Sequence, residues 1–87
     1  MTENKNQKIR LTYPCCWTYK IIGTDEKEMK SAVADIIRDR SYRISVSRRS
    51  EKAKYIALNL ELTVESEAHR RILYEELKAH PAIAVIL

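Results

Sequence analysis

Glycine is almost absent. Gly23 stands alone in a chain of 87 residues, and this excludes two large classes of nucleotide site. A phosphate-cradling P-loop or a dinucleotide-binding turn requires two or more glycines at fixed spacing. Cysteine is nearly as scarce: the only two, Cys15 and Cys16, are adjacent, which is poor geometry for an ordinary structural disulfide. Long apolar runs are missing too. No stretch approaches the ~18 residues that read as a membrane-spanning helix, and no positively charged start leads into an apolar signal segment. These absences set the expectation of a cytoplasmic, reducing environment. A chain this short buries only roughly 60–65% of its extended surface, so one small core with little redundancy is expected.

In place of these features the chain has alternation. In Tyr55-Ile56-Ala57-Leu58-Asn59-Leu60-Glu61-Leu62-Thr63-Val64, every second residue is a large aliphatic. A period of two describes a strand with one face in a core. Residues 13–22 alternate similarly, with Trp17, Tyr19 and Ile21 inward, and Pro14 suits the strand's entry. Gly23-Thr24 forms the turn out. Asp25 with Glu28 three residues on is a capping-box-like start, and Met29, Val33, Ile36 and Ile37 recur at helical spacing. The helix is expected over 25–40, with Arg38 and Arg40 in its last turn, where cations are favoured. A strand over 42–47 puts Tyr42, Ile44 and Val46 inward, and a charged loop over 48–53 returns the chain to the long strand. Ser66 offers an N-cap to a second helix over 66–79, with Ala68, Ile72, Leu73 and Leu77 as its apolar stripe. Pro81 stops that helix, and the apolar run 82–87 is of strand length.

Two amphipathic helices, each following a strand, must bury their stripes on one sheet face. Right-handed crossovers then leave one compact α+β solution, a ferredoxin-like βαββαβ two-layer sandwich. Its antiparallel four-stranded sheet has the order 4-1-3-2, with both helices on one face. Residues 11–87 form this domain, and the polar, aperiodic residues 1–10 are expected to be a disordered tail.

The motif Tyr13-Pro14 followed by Trp17-Thr18-Tyr19-Lys20-Ile21-Ile22-Gly23 resembles the opening of the small bacterial YbeD-like family, whose function is unknown. Leu73-Tyr74-Glu75-Glu76-Leu77 and the closing apolar strand resemble its C-terminal end. The resemblance spans residues 11–87. It implies the same βαββαβ sandwich, similar in shape to ACT-type regulatory domains, which bind amino acids at paired interfaces. It supplies no catalytic residues.

Candidate chemistry is sparse. Cys15, Cys16, His69 and His80 are potential zinc ligands, but a structural site spaces its cysteines roughly two to four apart. Neighbours on a strand point to opposite faces. His69 and His80 flank the second helix as capping or solvated residues, and no pair of carboxylates has the spacing of an acid–base couple. No metal, cofactor or catalytic role is expected. Charge is more informative. The chain carries +4 overall, yet Arg38, Arg40, Arg43, Arg48, Arg49, Lys52 and Lys54 stand against only Asp39 and Glu51, a local +5. A local basic patch is an argument about partners.

The expected function is a non-catalytic regulatory or interaction module of the ACT-like kind. It would bind a small anionic metabolite or a protein partner through Arg43, Arg48, Arg49 and Lys52, and pair as a homodimer. The alternative is RNA or other nucleic-acid binding through the Arg38–Lys54 region. The outward positions of the long strand are Tyr55, Ala57, Asn59, Glu61 and Thr63. They lack the central aromatics on which RNA-recognition motifs stack bases.

Overall fold

The computed structural model describes residues 11–38, 40–49 and 54–87. The expected tail at 1–10 and part of the loop at 48–53 lie outside them. The elements are β1 (Cys15–Gly23), α1 (Glu26–Ile37), β2 (Tyr42–Arg49), β3 (Ile56–Val64), α2 (Glu67–Ala79) and β4 (Val85–Ile86). All pairings are antiparallel and the strand order is β2-β3-β1-β4, the expected α+β ferredoxin-like sandwich.

β1 and β3 share nine consecutive partners, from Cys15 with Val64 to Gly23 with Ile56. Cross-strand partners share a face, so Tyr19 and Ile21 stack beside Leu60 and Leu58 on the helix side. Those four are buried with Leu62 and Val64. Met29, Val33 and Ile37 of α1 and Leu73 and Leu77 of α2 close the core from above.

Both helices start where the side chains direct. Asp25 accepts the Glu28 N–H at 3.0 Å, and Ser66 accepts the His69 N–H at 3.0 Å, satisfying donors that the first helical turn leaves open. Their interiors depart from the sequence expectation. α1 ends at Ile37, because Arg38 turns to φ 66°, ψ −116° and its N–H bonds back to the Ala34 carbonyl. Arg38 and Arg40 are therefore outside the last helical turn. In α2 the inward line is Arg70, Leu73, Tyr74 and Leu77. Ala68 and Ile72 fall on the neighbouring face, and Ile72 is 55% exposed.

β2 also differs. It extends through Arg48 and Arg49, which pair with Ala57 and Ile56, so these arginines are strand residues rather than loop residues. A bulge at Ser47 inserts one residue between the Val46–Leu58 and Arg48–Ala57 pairs, reversing the facing of the two arginines after it. Val46 keeps its helix-side register but is 43% exposed, since this edge lies beyond the helices' cover. β4 is shorter than the apolar run. Ala82 and Ile83 are taken up by a turn in which His80 accepts both their N–H groups, the first through Nδ1 and the second through its carbonyl. No helix among the described residues is long and apolar enough to cross a membrane.

Gly23 is the last residue of β1, and its φ is not positive. Its role is close approach: a Cβ there would lie 2.6 Å from the Ala82 carbonyl oxygen and 2.9 Å from Met29 Sδ. The positive φ falls on Arg38 instead, a position that costs a side-chain-bearing residue on the order of 1–3 kcal/mol. Gly23→Ala should therefore destabilise the fold by ~1–3 kcal/mol, because a backbone carbonyl must move. Arg38→Gly should recover ~0.5–1 kcal/mol. Urea midpoints at unchanged m-value test both; an unchanged midpoint for Gly23→Ala would contradict the tight packing.

Candidate functional site

Two regions merit comparison: the basic strand picked out by charge, and a pocket between β1 and α2 that charge did not reveal. Register sorts the basic residues. Arg43 pairs with Glu61 and Arg48 with Ala57, both on the helix-free face. Lys20 joins them there, opposite Asn59. Arg49, opposite Ile56, faces the helix layer and meets Glu26 at 2.8 Å. Glu26 also holds Lys30 at 3.0 Å, and hydrogen bonds from Lys30 and then Arg49 keep its carboxyl below the usual range. Arg40 pairs with Glu65 at 3.0 Å. Lys52 lies outside the described residues. The structure thus brings Arg43 and Arg48 to one face and sends Arg49 to the other. Glu61 stands between Thr18 and Arg43 in the middle of the sheet.

The sulfur and imidazole groups are scattered. Cys15 shares the core side with Val64, while Cys16 shares the open face with Thr63. His69 Nδ1 accepts the Glu65 N–H and His80 Nδ1 accepts the Ala82 N–H, each at 3.0 Å. Both imidazoles act as caps. Among the described residues no three metal-ligating side chains converge.

The β1–α2 pocket is more organised. It has a volume of about 640 Å³ and is lined by Trp17, Thr18, Tyr19, Arg70, Arg71, Tyr74, Glu75 and Leu87. Its central group is Arg70. The guanidinium lies 4.5 Å above the Trp17 ring centroid, and its Nε donates to the Tyr13 hydroxyl at 3.1 Å. The Tyr19 hydroxyl donates to the Arg70 carbonyl at 2.6 Å, tying the helix backbone to β1. Stacking on a ring face stabilises a cation by ~0.5–2 kcal/mol. It also holds the guanidinium plane, leaving its terminal N–H donors free of partners among the described residues. The hydrogen bond to Tyr13 raises the Arg70 pKa above its already high value, so the charge is permanent. Arg71 adds a second, exposed cation on the pocket wall, and Glu75 supplies an acid there.

Sequence reasoning assigns Trp17 and Tyr19 to the core and passes over Arg70 and Arg71. Tyr19 is buried as expected; Trp17 is half-buried, with the Arg70 guanidinium over one face of its ring. The available signal was Arg70-Arg71 one helical turn before Tyr74, opposite an aromatic-rich strand. Recognising it requires knowing which α2 face turns inward.

Burial pushes the Tyr19 phenol up to about 12. A tyrosine whose folded pKa exceeds its unfolded value of ~10 favours folding below pH 10, and this contribution is lost as pH rises toward 12. Tyr19→Phe also leaves the Arg70 carbonyl without its side-chain donor. The variant should be ~1 kcal/mol less stable at pH 8. The gap should close or reverse between pH 10 and 12, where the tyrosine of the unfolded chain ionises while the buried phenol stays protonated. Denaturant unfolding of both proteins across that range measures the gap; a constant difference would contradict this account of Tyr19.

Comparisons with known proteins agree with the fold and leave the chemistry open. A family model described as "Protein of unknown function (DUF493)" matches residues 8–87. A "UPF0250 protein" of Hahella chejuensis is 30% identical, with the whole of both chains covered. An "Uncharacterized protein" of Helicobacter pylori is 25% identical over 90% of this chain and 91% of its own. Among solved structures, the solution structure of protein HP0495 from H. pylori superposes with a TM-score of 0.79 at 20% identity, covering 100% of this chain and 96% of that one. The ACT domain from the GTP pyrophosphokinase of Chlorobium tepidum superposes with a TM-score of 0.59 at 15% identity, covering 83% and 94%.

Proposed function

The chain belongs to the DUF493 family, and on that premise we propose that it is a non-catalytic regulatory or interaction module of the ACT-like kind, binding an anionic partner. The partner is a small anionic metabolite or an acidic protein segment. The observation that carries this reading is the β1–α2 pocket, in which a stacked and hydrogen-bonded Arg70 stands beside Arg71 over aromatic walls. A guanidinium presents paired donors that match a carboxylate or phosphate in two-point geometry. Holding its plane in advance lowers the ordering cost of binding. Likeness to an ACT domain supports the regulatory half of the reading through the shared fold.

A second reading, nucleic-acid binding through the Arg38–Lys54 region, draws support from the Ser47 bulge, which turns Arg48 to the same face as Arg43 and Lys20. It is the weaker one. The outward residues of the two central strands include Thr18, Lys20, Asn59 and Glu61, none of which can stack a base.

Titrating the isotope-labelled full chain with inorganic phosphate, succinate and a uridine octanucleotide separates the readings. The small anions should shift the Trp17 indole and Arg70 side-chain signals, and Arg71→Gln should weaken that response about tenfold. Shifts confined to Arg43 and Arg48, with oligonucleotide binding that falls steeply between ~50 and ~200 mM salt, would favour the nucleic-acid reading and sink the first.

A further inference from the structure

Tyr13 decides which part of Arg70 is left to grip an anion. A guanidinium offers its N–H donors to a two-oxygen partner in two ways: side-on, through Nε and one terminal nitrogen, or end-on, through Nη1 and Nη2. The Nε of Arg70 already donates to the Tyr13 hydroxyl at 3.1 Å. The side-on fork is therefore occupied by this phenol. Arg70 lines the pocket and Tyr13 does not, so the terminal nitrogens are the part of the group turned to the cavity. They make no ion pair among the described residues. Glu67, one turn earlier on α2, acts on the Arg70 charge only through space.

The Trp17 ring adds a second restriction. The Arg70 Cζ lies over that ring, 4.5 Å from its centroid, so one side of the guanidinium is taken by the indole, whose face carries partial negative charge. A carboxylate met end-on keeps both oxygens and its next carbon in the guanidinium plane, and nothing projects toward the ring. A tetrahedral head, phosphate or sulfonate, sets two oxygens in that plane and its other two substituents on either side of it. One of these is directed at the indole. An oxygen there meets negative charge, and a carbon body there meets the ring itself. The Tyr13 bond resists the rotation that would relieve this, and the 2.6 Å bond from the Tyr19 hydroxyl to the Arg70 carbonyl fixes the helical turn behind it.

We propose that the β1–α2 pocket selects a carboxylate over phosphate and other tetrahedral anions, held end-on by Nη1 and Nη2 of Arg70, and that Tyr13 sets this choice. The proposal deepens the anion-binding reading and rests on it. Tyr13 is a positioning residue, since it touches the guanidinium and not the ligand. Arg71 attracts any anion and leaves the choice of head to Arg70. Glu75, Arg71 and whatever group adjoins Leu87 act alike on two ligands of equal charge. The shape of the head is therefore separable from the sum of the charges around it.

The experiment titrates the isotope-labelled full chain with benzoate and benzenesulfonate, which share a ring and a single negative charge and differ in the head. Benzoate should bind more tightly by about five- to tenfold, the margin of one well-made hydrogen bond. The Arg70 Nη signals should move, while its Nε signal, held by Tyr13, stays. These results are read on the unmodified chain, so no outcome hinges on a variant that fails to fold. Tyr13→Phe keeps the ring and frees Nε; the margin should shrink to about twofold or less, and Nε should now respond to benzoate. Arg70→Lys keeps the charge without the fork and should erase the margin. A purely structural effect of either change would weaken both ligands alike and leave their ratio intact. An end-blocked Ala-Glu-Ala peptide in the same titration distinguishes the sources of the carboxylate: tighter binding than benzoate assigns a protein segment, weaker binding a free acid. Equal or reversed affinities for the two heads, an Nε signal that shifts in the unmodified chain, or a ratio unchanged in Tyr13→Phe overturns the proposal. If both heads bind at Arg70 with equal strength, the anion pocket stands and only its selectivity fails. If neither they nor phosphate and succinate move the Trp17 and Arg70 signals, both readings fail.

Discussion

The ladder between β1 and β3 is the constraint on which the other features depend. Its nine uninterrupted partners hold two strands face to face in strict alternation, so one choice of register decides the facing of every residue in the centre of the sheet. A slip of one residue would turn Leu58, Leu60 and Leu62 to the open face and Glu61 into the core. The helices then have little freedom. α1 and α2 must lay their apolar lines on the side where Tyr19, Ile21 and the β3 leucines already stand, and the outer strands inherit their facing from the inner two.

From that constraint follows the contrast between the two edges. β2 is long, charged and bulged, and its cations are divided between two faces, Arg43 and Arg48 on the open one and Arg49 paired with Glu26 on the other. Charge and a bulge both discourage chance pairing with another sheet. On the other side, beside β1, stands a guanidinium held by the Trp17 ring and the Tyr13 hydroxyl. Concentration of charge in the sequence and organisation of charge in space thus point to opposite sides of the molecule.

This contrast explains what was legible in the sequence. Period-two runs at 15–22 and 56–64 announced the strands and their inward faces, and Asp25 and Ser66 announced the helix starts, because these signals are local and stereochemical. The missed features depend on distant partners. Nothing near Ser47 signals a bulge; it emerges only from matching Arg49 to Ile56. The C-terminal apolar run looked like six residues of strand, yet Ala82 and Ile83 serve the turn at His80. Ile72 looked as apolar as Leu73, and only the seating of α2 on the sheet separates them. The pocket required the same knowledge twice, of which way α2 faces and where β4 stops. Its cations come from Arg70 and Arg71, which no local excess of charge marks.

The order of strands also has a kinetic side. β2 and β3 are joined by a short connection, so their pairing closes a loop only from Arg49 to Ile56. The central ladder must bring Gly23 to Ile56 at its near end and Cys15 to Val64 at its far end, across α1 and the whole hairpin. Loop closure costs entropy before any contact repays it, and distant pairings slow the search for the native state. The hairpin is thus the shorter closure and the central ladder the longer one, so the contacts that Leu58 and Leu60 make with Ile21 and Tyr19 carry the greater loop-closure cost.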